Sequence, residues 1–347
     1  MVFALIMLNQ TADAQLFDEN MTVNYDTNYV KVYRDELTTR IFLSRKQTGY
    51  TLSDRLIDPG LRYRTNDNLL LGLGYTYSFL TINLSVKMPF INTDDEIYGT
   101  SNYLDLSTHA MFRSFKIDLY FQWNKGYYVS NPGKYVDAWE TGDPVPKRGD
   151  LRTNMIGINI QHLFNSRRYS YKASFQQNEF QRKSAGSPLA GVEAYWMLGM
   201  ADSTLVPGMV PGVDYLGNIP FNQTDLFNFG INGGYAYTYV WKEQLYVSVA
   251  TVFGLSGGKH LIHSTSDSFT SYNGLSAGIT NDTRISVGYN NNNYYVGLSF
   301  VRFSMNQIIP GPGDWISYTS SNIRLNFVKR FTLKKTIKIL RPDLWIF

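Results

Sequence analysis

From about residue 57 to residue 331 the chain repeats one pattern, apolar side chains at every second position in runs of roughly 10 to 16 residues. Leu71, Leu73, Tyr75 and Tyr77 alternate with Gly72, Gly74, Thr76 and Ser78. Phe115, Ile117, Leu119, Phe121 and Trp123 alternate with Lys116, Asp118, Tyr120, Gln122 and Asn124. Phe227, Phe229 and Ile231 alternate with Asn228, Gly230 and Asn232, and Tyr294, Val296, Leu298 and Phe300 follow the same rule. A period of two is that of a strand with one apolar and one polar face. It excludes amphipathic helices as the main element and predicts an all-β chain.

Three features predict that the apolar face meets lipid rather than a globular core. The runs exceed the usual five or six residues of a soluble strand and fit tilted membrane strands. Connections alternate in length: Ser114, 165–167, Lys242-Glu243 and 290–293 are tight, whereas 90–101, 125–150, 181–224, 256–272 and 305–318 are long. Aromatics gather at strand ends, with Trp123, Tyr239 and Trp241 as lipid-interface candidates beside Tyr127 and Tyr128. The uncharged stretch from Asn68 to Val86 has the length of a membrane helix but alternates, and so reads as a hairpin turning near Phe79 and Leu80. The expected fold is a transmembrane antiparallel up-and-down β-barrel with periplasmic termini and long extracellular loops. A secreted array of β-sandwiches is the other architecture that alternation permits.

Twelve strands are expected, at 57–65, 69–78, 81–89, 102–113, 115–124, 152–164, 168–180, 226–241, 244–255, 273–289, 294–304 and 319–331. Fourteen result if Tyr29–Tyr33 and Thr38–Arg45 also join. The apolar loop 181–224 is expected to fold into the lumen or cap it. The last strand, Asn322 to Phe331, ends on an aromatic residue, the kind of signal that barrel-insertion machinery reads. Val2 to Leu8 followed by Ala12-Asp13-Ala14 reads as a signal peptide over 1–14 lacking its basic start, with the barrel over 15–347. Residues 332–347, with Lys334, Lys335, Lys338 and Arg341, read as a basic periplasmic tail.

Composition narrows the chemistry. The 347 residues are 17% charged and 15% aromatic, carry a net charge of +4 and contain no cysteine. Disulfide scaffolds, thiolate sites and lipid-anchor cysteines are therefore excluded, and so small a charge gives no footing for nucleic acid. With the apolar parity in lipid, Lys87, Asp105, His109, Lys116, Asp118 and Gln122 are candidates to line the lumen. Their charges either pair with each other to fill a narrow interior, or set the selectivity of a hydrated path. Three functions follow: passage of a small solute; a non-conducting subunit of an envelope or secretion complex; and a membrane-embedded hydrolase using His109 as base. Ser107 shares a face with His109, but such neighbours stand about 6 to 7 Å apart, beyond direct hydrogen bonding. No catalytic residue, metal or cofactor is assigned. His260-x-x-His263 with Asp267, and Asp94-Asp95-Glu96, are weak metal patterns. The expected partners are outer-membrane lipid and lipopolysaccharide, the insertion machinery and an envelope protein, and the expected location is the outer membrane of a diderm bacterium.

Several motifs add to this reading: Gly60-Leu61-Arg62-Tyr63-Arg64-Thr65-Asn66, Leu70-Leu71-Gly72-Leu73-Gly74-Tyr75-Thr76-Tyr77, Tyr98-Gly99-Thr100, and Ile117 to Gln122 leading to Lys125-Gly126-Tyr127-Tyr128. On these motifs the chain resembles a family of outer-membrane β-barrels from Bacteroidota described as a domain of unknown function. The resemblance runs from about residue 28 to the end. It implies fold and location and carries no activity, ligand or site residue.

Overall fold

The computed structural model describes residues 25–33, 36–53, 60–77, 80–88, 90–91, 94–134, 139–207, 220–266, 269–291, 293–309 and 314–332. The expected signal segment 1–14 and the tail beyond residue 332 lie outside them.

Among the described residues, ten strands close a ring through antiparallel ladders: β2 (Glu36–Ser53), β3 (Leu61–Arg64), β8 (Phe115–Val129), β9 (Lys147–Leu163), β11 (Ala185–Met200), β12 (Phe221–Trp241), β13 (Leu245–Ser266), β14 (Phe269–Asn290), β15 (Tyr294–Ile309) and β16 (Asp314–Thr332). The seam between β16 and β2 runs from Glu36 against Thr332 to Ser53 against Trp315, so the sheet is joined end to end along the whole length of β2. Four further strands join the same sheet outside the ring. β4 (Leu69–Tyr77) pairs with the first half of β2 and carries β5 (Leu80–Lys87), while β6 (Asn102–Asp105) and β7 (Thr108–Met111) pair with β8. The short β3 bridges β2 and β8 above these flaps, matching Leu52 to Leu61 on one side and Val129 to Tyr63 on the other. The ring thus has ten members rather than twelve, because the two flaps reinforce their neighbours without entering the closed ladder.

Residues 256–266, 269–272, 305–309 and 314–318, expected within long loops, are strand in β13, β14, β15 and β16, and two further regions depart from the sequence expectation. Residues 168–180 are not a barrel strand. The first helix, α1 (Asp95–Tyr98), is a single turn between β5 and β6; here Ser170 accepts the Ala173 amide as an N-cap, and helix α2 (Tyr171–Phe175) follows, whereas a short two-stranded sheet pairs β1 (Val30–Val32) with β10 (Glu179–Gln181). The apolar run 185–200, expected as loop, is β11, pairing with β12 over its length and with β9 from Leu189 to Met200. Its two faces are both apolar, Tyr195 and Met197 inward and Trp196 and Leu198 outward, so period two was hidden.

The outer wall is apolar. Phe227, Phe229 and Ile231 on β12 are 52%, 58% and 66% exposed, and Leu71, Leu119, Ile156, Val249, Val296 and Phe327 on other strands also face outward. Exposing this much apolar surface to water would be unfavourable by roughly 25 cal/mol for each Å². Both Glu36 and Thr332 lie at the end where β12 turns into β13 and β14 into β15. The described termini therefore sit on the tight-turn side.

Candidate functional site: the barrel interior

Inside the ring, side chains fill the lumen at three levels. At the long-loop end, Tyr50, Tyr63, Tyr127, Tyr195 and Tyr318 pack with Met155, Met197, Leu226 and Met305 into one buried cluster. Each phenol finds a partner. Tyr50 Oη pairs with Thr224 Oγ1 at 2.8 Å, Tyr127 Oη with Thr153 Oγ1 at 2.6 Å, and Tyr318 Oη donates to Gln122 Oε1 at 2.7 Å. Tyr63 donates to the carbonyl of Leu205, whose own side chain is buried in the same cluster. The segment after β11 therefore closes over the mouth, and Arg148 anchors it by donating to the Thr204 carbonyl at 2.8 Å while paired with Asp150 at 2.9 Å. Buried hydroxyls satisfied in this way let tyrosines fill a barrel without leaving unmet polar groups.

At mid-height, polar strand faces converge on a quartet of two cations and two carboxylates. Lys116 Nζ lies 2.7 Å from Asp118 Oδ2, Arg284 Nη2 lies 2.8 Å from the same oxygen and 3.0 Å from Asp282 Oδ2, and Lys116 is 3.5 Å from Asp282. Lys116 and Asp118 have no exposed surface. Their formal charges cancel, the condition under which buried ions are tolerated. His109 Nδ1 reaches Asp118 Oδ1 at 2.7 Å from the flap strand β7. Beside the quartet, Glu193 accepts from Asn232 at 2.9 Å and from Thr280, and Asn232 bonds Asn159 and Gln161 in turn.

At the tight-turn end, α2 enters the ring from below. The Tyr171 ring lies 5.0 Å from Lys116 Nζ and 5.9 Å from the Arg284 guanidinium, so the plug touches the quartet directly. Ser174 Oγ bonds Thr238 at 2.8 Å and accepts from Ser248 at 2.8 Å. Arg40 donates to the Gln176 carbonyl at 2.8 Å, and Arg330 donates to the Gln177 carbonyl at 2.6 Å. Four strands thus grip a helix of barely more than one turn.

The candidates from sequence separate into two groups. Lys116, Asp118 and His109 come together in the quartet, and Gln122 lies one layer above, bonded to Tyr318 and Ser107. Lys87 and Asp105 do not join them. Lys87, on β5, donates to the Ser101 carbonyl at 2.8 Å, while Asp105, on β6, pairs with Lys46 of β2. The four expected charges therefore do not pair as one set, because the flaps hold two of them away from the quartet. Tyr239 and Trp241 stand exposed on the outer wall beside the turn at 242–244, and Trp123 is half-buried where β6 pairs at Leu104. Tyr127 faces inward into the mouth rather than the lipid interface. His260 and His263 lie in β13, not in a loop, and three positions apart on a strand they face opposite sides. Among the described residues no group of three or more His, Asp or Glu is placed to hold a metal ion.

Sequence reasoning missed Asp282, Arg284 and Glu193. Thr280-Asn281-Asp282-Thr283-Arg284 is polar at five successive positions, so no alternation marked which side faced in. Glu193 is the one acid in the apolar run of β11.

No curated protein matches the chain. Among solved structures it is similar to the outer membrane protease OmpT from Escherichia coli, at 9% identity and a TM-score of 0.37, over 86% of this chain and 98% of that one. It is also similar to the toluene transporter TodX of P. putida, at 8% identity and a TM-score of 0.21, over 92% of this chain and 94% of that one. The translocator domain of autotransporter NalP from Neisseria meningitidis matches at 7% identity and a TM-score of 0.29, over 84% of this chain and 88% of that one. The family model described as Domain of unknown function (DUF4421) matches residues 24–328, and the chain belongs to that family.

Proposed function

We propose that this protein is an integral β-barrel of the outer membrane of a diderm bacterium, in keeping with the motifs on which its sequence resembles Bacteroidota barrels. In this reading its lumen is sealed by its own side chains, and it serves as a structural or accessory subunit of the envelope. The apolar outer wall on a closed ring of strands is the form a membrane span requires. The turns from β12 to β13 and from β14 to β15 lie on the side of the described termini, and the long connections 130–146 and 201–220 lie on the other, which supports a periplasmic position for those termini.

The observation that carries the closed-lumen reading is the continuity of the three layers. A tyrosine cluster, a neutral ion quartet and an inserted helix follow one another along the axis, and Tyr171 of the helix lies 5.0 Å from Lys116 of the quartet. A solute path would need water beside the quartet, where Lys116 and Asp118 have none of their surface exposed. The periplasmic end instead presents a folded layer of β1, β10 and α2, with Arg167, Arg168, Arg182 and Lys183 exposed on its lower side. A cationic platform of this kind suits a protein partner.

The hydrolase reading has less support. Among the described residues the His109 imidazole bonds the Asp118 carboxylate and no hydroxyl nucleophile. Swelling of protein-loaded liposomes in arabinose or glycine tests the proposal. A sealed barrel leaves the swelling rate at that of empty liposomes, and swelling that scales with protein content would contradict it.

A further inference from the structure

The outer wall is not apolar all the way round. On β12, outward positions from Trp241 back to Phe227 are apolar or glycine for the whole run. On β15 the outward apolar series Tyr294, Val296, Leu298, Phe300 stops at Arg302, and on β16 it stops above Ile323, where Ser321, Thr319 and Ser317 follow. On β2, Ile41 and Leu43 give way to Arg45 and Gln47. Over this sector the wall is indented into a groove of about 530 Å³, lined by Arg62, Arg64 and Arg302 together with hydroxyl and amide side chains, and none of its lining residues is acidic.

The height of the groove follows from strand geometry. A strand tilted by about 40° climbs about 2.6 Å per residue. Arg302 stands eight positions beyond Tyr294 and so lies about 21 Å above the tight-turn end, level with its partner Ser321 and with Gln47 beyond it, while Arg64 and Arg62, paired with Gly49 and Thr51, lie about 26 and 31 Å above it. The apolar band of such barrels is about 25 Å tall. The groove therefore opens at the headgroup level of the leaflet on the long-loop side, with Phe300, Ile323 and Leu43 directly beneath it at acyl-chain depth.

We infer that this groove is a binding site for a phosphorylated glycolipid of the outer leaflet, its phosphates held by Arg62, Arg64 and Arg302 and its acyl chains lying on the apolar wall below. Guanidinium groups match phosphate oxygens in two-pronged geometry, and hydroxyl and amide donors on the groove wall complement a sugar headgroup. The inference rests on the outer-membrane reading of the barrel and not on the sealing of its lumen.

The test is native mass spectrometry of the full chain in detergent, titrated with lipid A and with lipid A stripped of its phosphates. The intact protein should retain lipid A at least about tenfold more tightly than the dephosphorylated form, and the triple variant Arg62→Gln, Arg64→Gln, Arg302→Gln should lose that preference. Equal retention of the two lipids by the intact protein would overturn the site, whatever the variant does. Retention of the phosphate preference by the folded triple variant would overturn it as well. Insertion into phosphatidylcholine vesicles, read by protease resistance of the strands, checks the membrane reading separately. Failure to insert would remove both readings, whereas insertion without phosphate preference would remove the groove alone.

Discussion

Asp118 and Arg284 are 166 positions apart in the chain and 2.8 Å apart inside the barrel, where one carboxylate oxygen of Asp118 meets both Arg284 and Lys116. β8 and β14 are not neighbours in the ring, so this contact ties opposite walls together. Asp118→Asn leaves two buried cations with Asp282 alone, and removing one partner of a buried ion set costs about 3–5 kcal/mol. Urea unfolding of the refolded protein in micelles should show that loss. The double variant Asp118→Asn, Arg284→Gln should lose less than the sum of the singles by about 1–3 kcal/mol. Strict additivity would show that the two residues are not coupled.

A second expectation concerns the hairpin between β12 and β13. Lys242 and Glu243 both adopt positive φ, at 49° and 61°, where a side chain crowds its own backbone and glycine does not. Glu243→Gly should therefore raise stability by about 0.5 to 1 kcal/mol, whereas Glu243→Val should lower it. The same urea series reads both changes, and a destabilised glycine variant would count against the turn conformation.

The anchor of the mouth segment gives a pH dependence. Asp150, about 34 Å above the tight turn and so clear of the apolar band, has its pKa lowered to about 2, chiefly by the hydrogen bonds it accepts from Arg148. A carboxyl whose folded pKa is depressed contributes stability that is present above its ordinary value near 3.9 and is lost as pH falls through the lower value. Hydrogen exchange of the amides at 201–205 should show protection that is constant from pH 7 to pH 4 and fades towards pH 2. In Asp150→Asn the protection should be weaker at every pH. Protection that fades between pH 6 and pH 5 would point to a different anchor.

Much of the wall was legible from period two alone, because lipid outside and polar side chains inside give β8, β12, β13 and β15 clean alternation. Legibility failed where that contrast vanishes. β2 carries Arg45 and Gln47 on its outer face, beside the basic groove, so its alternation is polar on both sides. β11 is apolar on both faces because its inner residues pack in the tyrosine cluster. The plug misled in the opposite sense: Tyr169, Tyr171, Ala173 and Phe175 alternate as a strand would, but the Ser170 cap and the fit of Tyr171 over Lys116 and Arg284 hold a helix there. Lys116 and Asp118 could be placed in the lumen from their own strand. Their partners Asp282 and Arg284 could not, since only the closed ring decides which distant strands face each other across it.

The measurement that bears most directly on the sealed interior is single-channel current across a planar bilayer containing the intact, refolded chain. A lumen filled by the tyrosine cluster, the ion quartet and the inserted helix gives no steps above the bare bilayer at either polarity. Stable steps whose charge selectivity shifts with Asp118→Asn would contradict it.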